Sequence, residues 1–316
     1  MEELLVKYGL IFGKRFTLKQ RRNFLVVISE EFGKLGYATK FANDDRKSNA
    51  KSVDLFVGDI GKASTIICTH YDTPLKSLIP NYRYYPLDGQ RSHRIFLLAT
   101  FLPTLIVTML GIAIMIYIVN IPNFEGFWYN VYLFSTIFLT FMISAIISRG
   151  FRNKYNINKN TASILAMLVA AESLNKQSRS KVAFILLDKG CTNHNGAQML
   201  AQALPTTLDK KLFIYLDCIG RGDNLVIGHR ENLRMESDKI LKFFSGKQST
   251  STYELDAKDV MYTPLYYLKR SLVISNGQKD KTGSHYVDKT SSSADKYADI
   301  ETIQFVGKML AESLNK

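Results

Sequence analysis

From Ile95 to Phe124 the chain has no charged residue, and from Phe127 to Ser148 it again has none; Glu125 is the only charge between the two stretches. The uncharged runs IFLLATFLPTLIVTMLGIAIMIYIV (95–119) and FWYNVYLFSTIFLTFMISAIIS (127–148) are 25 and 22 residues long, and about 20 apolar residues suffice to cross a bilayer core. Buried core helices are the alternative, but they seldom lack charge on every face over such a length. The two runs are therefore expected to form a two-helix transmembrane hairpin over residues 91–150, with spans at about 95–119 and 127–148. Pro103 and Thr100, Thr104 and Thr108 are compatible with a span, because hydroxyls bond to backbone within the helix and a proline kink is tolerated there.

Cysteine is scarce, with Cys68, Cys191 and Cys218 the only three. An odd number beside strand-like runs fits a reducing compartment better than a disulfide framework. The N-terminus MEELLVKYGLIFGKRF has neither a sustained apolar core nor a small-residue cleavage site, so no secretory signal is expected. Acidic residues are also few, 28 against 41 basic ones, for a net charge of +13. The basic residues form no helical stripe and no aromatic-interleaved patch, so nucleic acid is not expected as a partner. Attraction to anionic head groups of a lipid bilayer accounts for the excess without further assumption. Arg91 and Arg94 precede the first span, and Arg149, Arg152 and Lys154 follow the second. By the positive-inside rule the expected location is the cell membrane, with two spans and both termini cytoplasmic.

Outside the hairpin the pattern alternates between helix and strand. The segment 16–37 has apolar residues at helical spacing and stops at Gly36. SVDLFVGDI (52–60) and STIICTHYD (64–72) read as strands, as do KVAFILLD (181–188) and KLFIYLDCIG (211–220). Helices are expected over 160–175, with Asn160 or Thr161 as N-cap, over 195–204, and at the C-terminus within 291–314. The expected fold class is α/β, a mixed, largely parallel central sheet flanked by helices. Neither half around the hairpin is complete, so residues 1–90 and 151–316 are expected to form one discontinuous cytoplasmic domain. There is no internal repeat and no low-complexity segment.

Ligands of open α/β sheets bind beyond the carboxyl ends of strands, and three such ends here carry His70 and Asp72, Asp188, and Asp217. An aspartate after a strand is more often a turn former or a helix cap, so order and spacing decide. THYDTP, NKNTASILAMLVAAESL, KVAFILLDKGCTNHNGAQML, FIYLDCIG and SSSADKYADIETI together resemble, in order, five segments of the co-catalytic zinc aminopeptidase family, which also includes glutaminyl cyclases and non-catalytic members. The resemblance covers nearly the whole chain outside the hairpin. It implies a zinc-aminopeptidase-like fold and a pocket made of His70, Asp72, Lys159, Asp188, Gly190, Cys191, Asp217 and Ser291.

The chemistry of that family needs two zinc ions, a bridging carboxylate and a glutamate base. The resemblance implies that His70 and Asp217 stand at two ligand positions and that Asp72 orients the histidine. The bridging aspartate falls on Lys159, the glutamate base on Gly190, the neighbouring ligand on Cys191, and the last histidine near Ser291. An ammonium donates no lone pair and repels dications. Two readings of Lys159 remain: it replaces the metal charge in an ion pair with Asp217 and Asp72, or it extends to solvent. A rearranged site on His70, Asp217, Cys191 and His194 would hold one zinc if any survives, with His285 as a further candidate; Cys191 as nucleophile has no evident base.

The expected function is thus a membrane-anchored, catalytically inactive aminopeptidase-like protein without a cofactor, which binds a peptide or a membrane protein partner at the membrane surface. The alternatives are an active zinc metallopeptidase with a variant site, and an accessory subunit of a membrane transporter or complex. The spans hold no buried charge, which disfavours a transport path through this chain alone.

Overall fold

A computed structural model describes residues 1–43, 52–122, 125–204, 207–244 and 249–315. Its strands are β1 (Thr39–Asn43), β2 (Val53–Val57), β3 (Thr65–His70), β4 (Leu75–Lys76), β5 (Arg83–Tyr84) and β6 (Phe151–Arg152), followed by β7 (Val182–Leu187), β8 (Leu212–Leu216), β9 (Asn224–His229), β10 (Ser249–Glu254), β11 (Ser271–Lys279) and β12 (His285–Asp288). Ten of these form one mixed sheet in the order β1-β2-β7-β3-β8-β11-β12-β5, with β9 paired to β11 and β10 to β9. The central run β7-β3-β8-β11 is parallel, while the flanking pairs β1-β2, β2-β7, β11-β12 and β12-β5 are antiparallel. β7, from after the hairpin, lies between β2 and β3, from before it. Neither half could therefore build this sheet alone.

The central strands are continuous apolar runs such as VAFILL and LFIYL, as strands covered on both faces must be. One face packs under α1 (Leu18–Lys34), and under two helices introduced below, through Phe24, Ile28, Ile67, Leu165, Phe184 and Val306. The other face carries Ile66, Cys68, Ile185, Leu200 and Phe213. α1 opens on a capping box between Thr17 and Gln20.

The hairpin consists of α2 (Gly89–Val119) and α3 (Phe127–Arg149), each long and apolar enough to cross a membrane. α3 has no buried residue, and Phe141 is 75% exposed. A core helix of a soluble domain would bury such side chains. The two helices approach closely where Gly111 meets Thr140, since a Cβ at Gly111 would lie 2.2 Å from the threonine oxygen. Small residues allow this approach between spans. β4 and β6, which pair antiparallel (Leu75 with Arg152, Lys76 with Phe151), tie the hairpin to the sheet domain.

The buried helix α4 (Ala162–Ser173) departs from expectation in its capping. Thr161 stands at the N-cap position, but its side chain makes no capping hydrogen bond, and a π turn over Ile157–Thr161 leads into the helix. Both side chains are taken by tertiary partners: the Asn160 amide donates to the Asp72 carbonyl at 2.5 Å, and the Thr161 hydroxyl accepts from the buried Arg15. α5 (Asn195–Ala203) and α6 (Arg234–Leu241) follow, and α7 (Ile300–Leu314), capped by Asp299, closes the chain against α4.

Candidate ligand cavity at the strand ends

β3 and β8 end side by side, which brings His70 and Asp217 to the same rim of the sheet. Opposite them the π turn presents Lys159. The Asp295 carboxylate fixes that turn, accepting from the backbone N–H of Asn158 at 2.7 Å and of Lys159 at 3.2 Å. The Lys159 Nζ then donates to Asp217 Oδ1 at 3.0 Å and lies 3.4 Å from the centroid of the Tyr84 ring. Tyr84 donates its hydroxyl to Asp217 Oδ2 at 2.6 Å, and the Cys218 thiol donates to Oδ1. Both oxygens of Asp217 are thus engaged, and the pair is buried, with side-chain exposures of 6% and 4%. Burial, the largest influence, would raise the Asp217 carboxyl, but the Lys159 charge, His70 and the hydrogen bonds from Tyr84 and Lys159 together hold the group below its ordinary range. Burial likewise works against a charged Lys159, and Asp217 raises the ammonium well above its ordinary value. The pair is ionised.

His70 takes a partner other than the expected one. Its Nδ1 lies 2.5 Å from the Tyr215 hydroxyl. The Asp72 carboxylate turns away and accepts the backbone N–H of Cys191 on both oxygens at 3.1 Å. Asp72 joins neither His70 nor Lys159 because its position between β3 and the 189–194 loop gives it a closer backbone donor. Burial, then the charge of Asp188, pushes its carboxyl up to about 7. Asp188 itself is displaced from the expected pocket: it pairs with Arg21 of α1 at 3.0 Å and accepts the Val53 N–H at 3.1 Å. Its role is to join β7 to β2 and α1.

The remaining positions are equally committed. A Cβ at Gly190 would lie 2.2 Å from the His70 Cβ, so no side chain fits there, a glutamate base included. The Cys191 thiol donates to the Asp72 carbonyl at 3.3 Å, and burial raises its pKa well above the ordinary value, which leaves it a thiol. His194 Nε2 is held by the Tyr262 carbonyl at 2.7 Å. Ser291, in the left-handed region at φ 53°, accepts the Ser77 N–H on its backbone carbonyl. His285 lies on β12, where its Nε2 is 3.3 Å from the Ser275 hydroxyl rather than against His70 or Cys191. Among the described residues, no group of three or more His, Cys, Asp or Glu side chains is arranged to hold a metal. A cation already sits on Asp217, and the residues present do not fit a two-zinc centre.

Burial, reinforced for His70 by Lys159, lowers His70 to about 3, and burial lowers His194 and His285 to about 4 each. Because these folded values lie below that of an unfolded histidine, their contribution to stability is complete above about pH 6.5 and is lost as pH falls toward 4. The imidazole C2 proton shifts of these three residues are expected to stay flat from pH 8 to pH 5 in histidine-labelled protein. A midpoint near 6.5 for any of them would contradict this burial.

Lys159, Gly190 and Cys191 form the floor of a cavity of about 540 Å³, whose walls include Phe96, Ala99 and Thr100 of α2 and Ile147 of α3. The same cavity thus touches Lys159, Cys191 and Ser291 at the strand-end rim and both helices of the hairpin.

No family model matches this sequence, and no curated protein matches it. Solved structures do. The chain is similar to a Zn-dependent exopeptidase from Parabacteroides distasonis at 12% identity, covering 100% of this chain and 95% of that one with a TM-score of 0.58. It is similar to a glutaminyl cyclase from Bacteroides thetaiotaomicron at 14% identity, covering 99% and 96%, TM-score 0.59. A leucine aminopeptidase precursor from the same organism gives 14%, 99%, 95% and 0.57. The fold is that of the zinc-dependent exopeptidases. Within this aminopeptidase-like fold, three residues that sequence reasoning did not single out complete the centre: Tyr84, Tyr215 and Asp295. Only Asp295 had a signal, since it lies in the SSSADKYADIETI segment four residues after Ser291.

Proposed function

We propose that this chain is a membrane-anchored protein of aminopeptidase-like fold that binds a ligand or partner at the cytoplasmic membrane surface and does not hydrolyse peptides. The observation that carries this reading is the Lys159 ammonium 3.0 Å from Asp217. It replaces a bridging carboxylate with a positive charge and satisfies the one aspartate left at a ligand position. The closed approach of Gly190 to His70 supports the same reading, because it leaves no space for a general base. Membrane anchorage is supported by the exposed apolar faces of α2 and α3. Arg91, Arg94, Arg149, Arg152 and Lys154 at their roots favour a cytoplasmic domain made of residues 1–90 and 151–316. The expected result with the detergent-solubilised full chain and added zinc is no turnover of aminoacyl amides and no cyclisation of amino-terminal glutamine above the uncatalysed rate. Turnover that disappears in His70→Ala would refute the proposal.

A further inference from the structure

We propose that the cavity binds an anionic, single-chain amphiphile drawn from the cytoplasmic leaflet; this deepens the preceding reading and rests on it. The walls supply the apolar half of the argument. Phe96, Ala99, Thr100 and Ile147 line the cavity and belong to the uncharged runs 95–119 and 127–148, so this side of the cavity lies at the hydrocarbon boundary. The Thr100 hydroxyl is satisfied by the Phe96 carbonyl at 3.0 Å and adds no free donor to that wall. The volume falls in the range of small-molecule sites, about 300–1,000 Å³.

The floor supplies the polar half. Among the described residues, the lining contains Lys76 and Lys159 but no aspartate or glutamate. An ammonium has three donors, and Asp217 takes one from Lys159. Another side of the ammonium meets the Tyr84 ring at 3.4 Å, so a carboxylate or phosphate head would take the remaining donor and pair with the exposed Lys76 on the same lining. A peptide with a free amino terminus would bring a second ammonium to this point without a carboxylate to receive it, since both Asp217 oxygens are already engaged. The rim fits the same ligand. Tyr262 stacks on His93 of α2 at 3.9 Å between centroids, and Tyr266 is 60% exposed beside it. Amphipathic rings of this kind favour the membrane interface.

The test is equilibrium binding to the full chain in phosphatidylcholine nanodiscs, read by displacement of a fluorescent hexadecanoate analogue. Oleate and oleoyl lysophosphatidate are expected to displace it at least tenfold more effectively than oleylamine. Inorganic phosphate and the peptide Ala-Ala-Phe are expected to leave it bound. Ala99→Trp, which fills the wall, and Thr192→Trp, on the exposed rim, should each weaken binding tenfold or more without changing the melting temperature of the rim variant. Equal displacement by oleylamine, displacement by the peptide or by phosphate alone, or unchanged binding in both variants would overturn the proposal. Zinc content is measured on the same sample. A zinc-free, inactive protein that ignores oleate removes this inference only, whereas bound zinc with turnover removes the reading beneath it.

Discussion

Replacing Lys159 with methionine is expected to destabilise the folded chain by about 3–5 kcal/mol, because it leaves the Asp217 carboxylate buried without its counter-charge. The methionine fills most of the lysine's volume, so the loss is electrostatic rather than a cavity effect. Asp217→Asn should cost a similar amount by stranding the ammonium over Tyr84. The double variant Lys159→Met, Asp217→Asn is expected to recover more than half of the summed loss, since a neutral amide can still accept the Tyr84 hydroxyl. Equilibrium unfolding of the four proteins in one detergent provides the cycle. Additive losses would mean that the 3.0 Å pair contributes nothing as a pair.

Asp295→Ala carries the second large effect. The carboxylate satisfies two backbone N–H groups of the π turn, at Asn158 and Lys159, and all three residues are buried. Each unpaired buried donor costs about 1–3 kcal/mol, so the loss of both partners should cost the variant about 2–6 kcal/mol in denaturant unfolding. Asp295→Asn keeps one acceptor and should lose about half as much. Because the turn aims Lys159, the alanine variant should also expose the lysine, read as faster amine labelling at that residue. An alanine variant as stable as the parent would show that the turn holds itself.

These two residues also mark how far the sequence could be read. The two-helix hairpin was legible from the missing charges, because uncharged runs of 25 and 22 residues separated by one short charged loop are each long enough for a single long helix. The central strands were legible because two-faced burial writes itself as continuous apolar runs, and His70 and Asp217 followed as the residues at their ends. β9 to β12 were not anticipated: STSTYE on an edge is polar, and NLVIGH is broken by a glycine whose Cβ would meet Leu87 and Val273. The start of α4 falls where expected, with Thr161 at the N-cap position, but the capping bonds do not form because the Asn160 and Thr161 side chains are claimed by Asp72 and Arg15 from elsewhere in the chain. The same kind of competition moved Asp188 from the expected pocket to Arg21, and gave His70 a tyrosine in place of Asp72. Spacing along a chain records which residues share an end of the sheet. It does not record which of several nearby partners a buried polar group will take.

The central claim is that a lysine charge occupies the place of the metals, and bound zinc tests it most directly. The full chain, purified without chelator and equilibrated with zinc, should carry no stoichiometric metal by elemental mass spectrometry, and its content should be unchanged in His70→Ala. One or two zinc ions per chain, lost in that variant, would contradict the account.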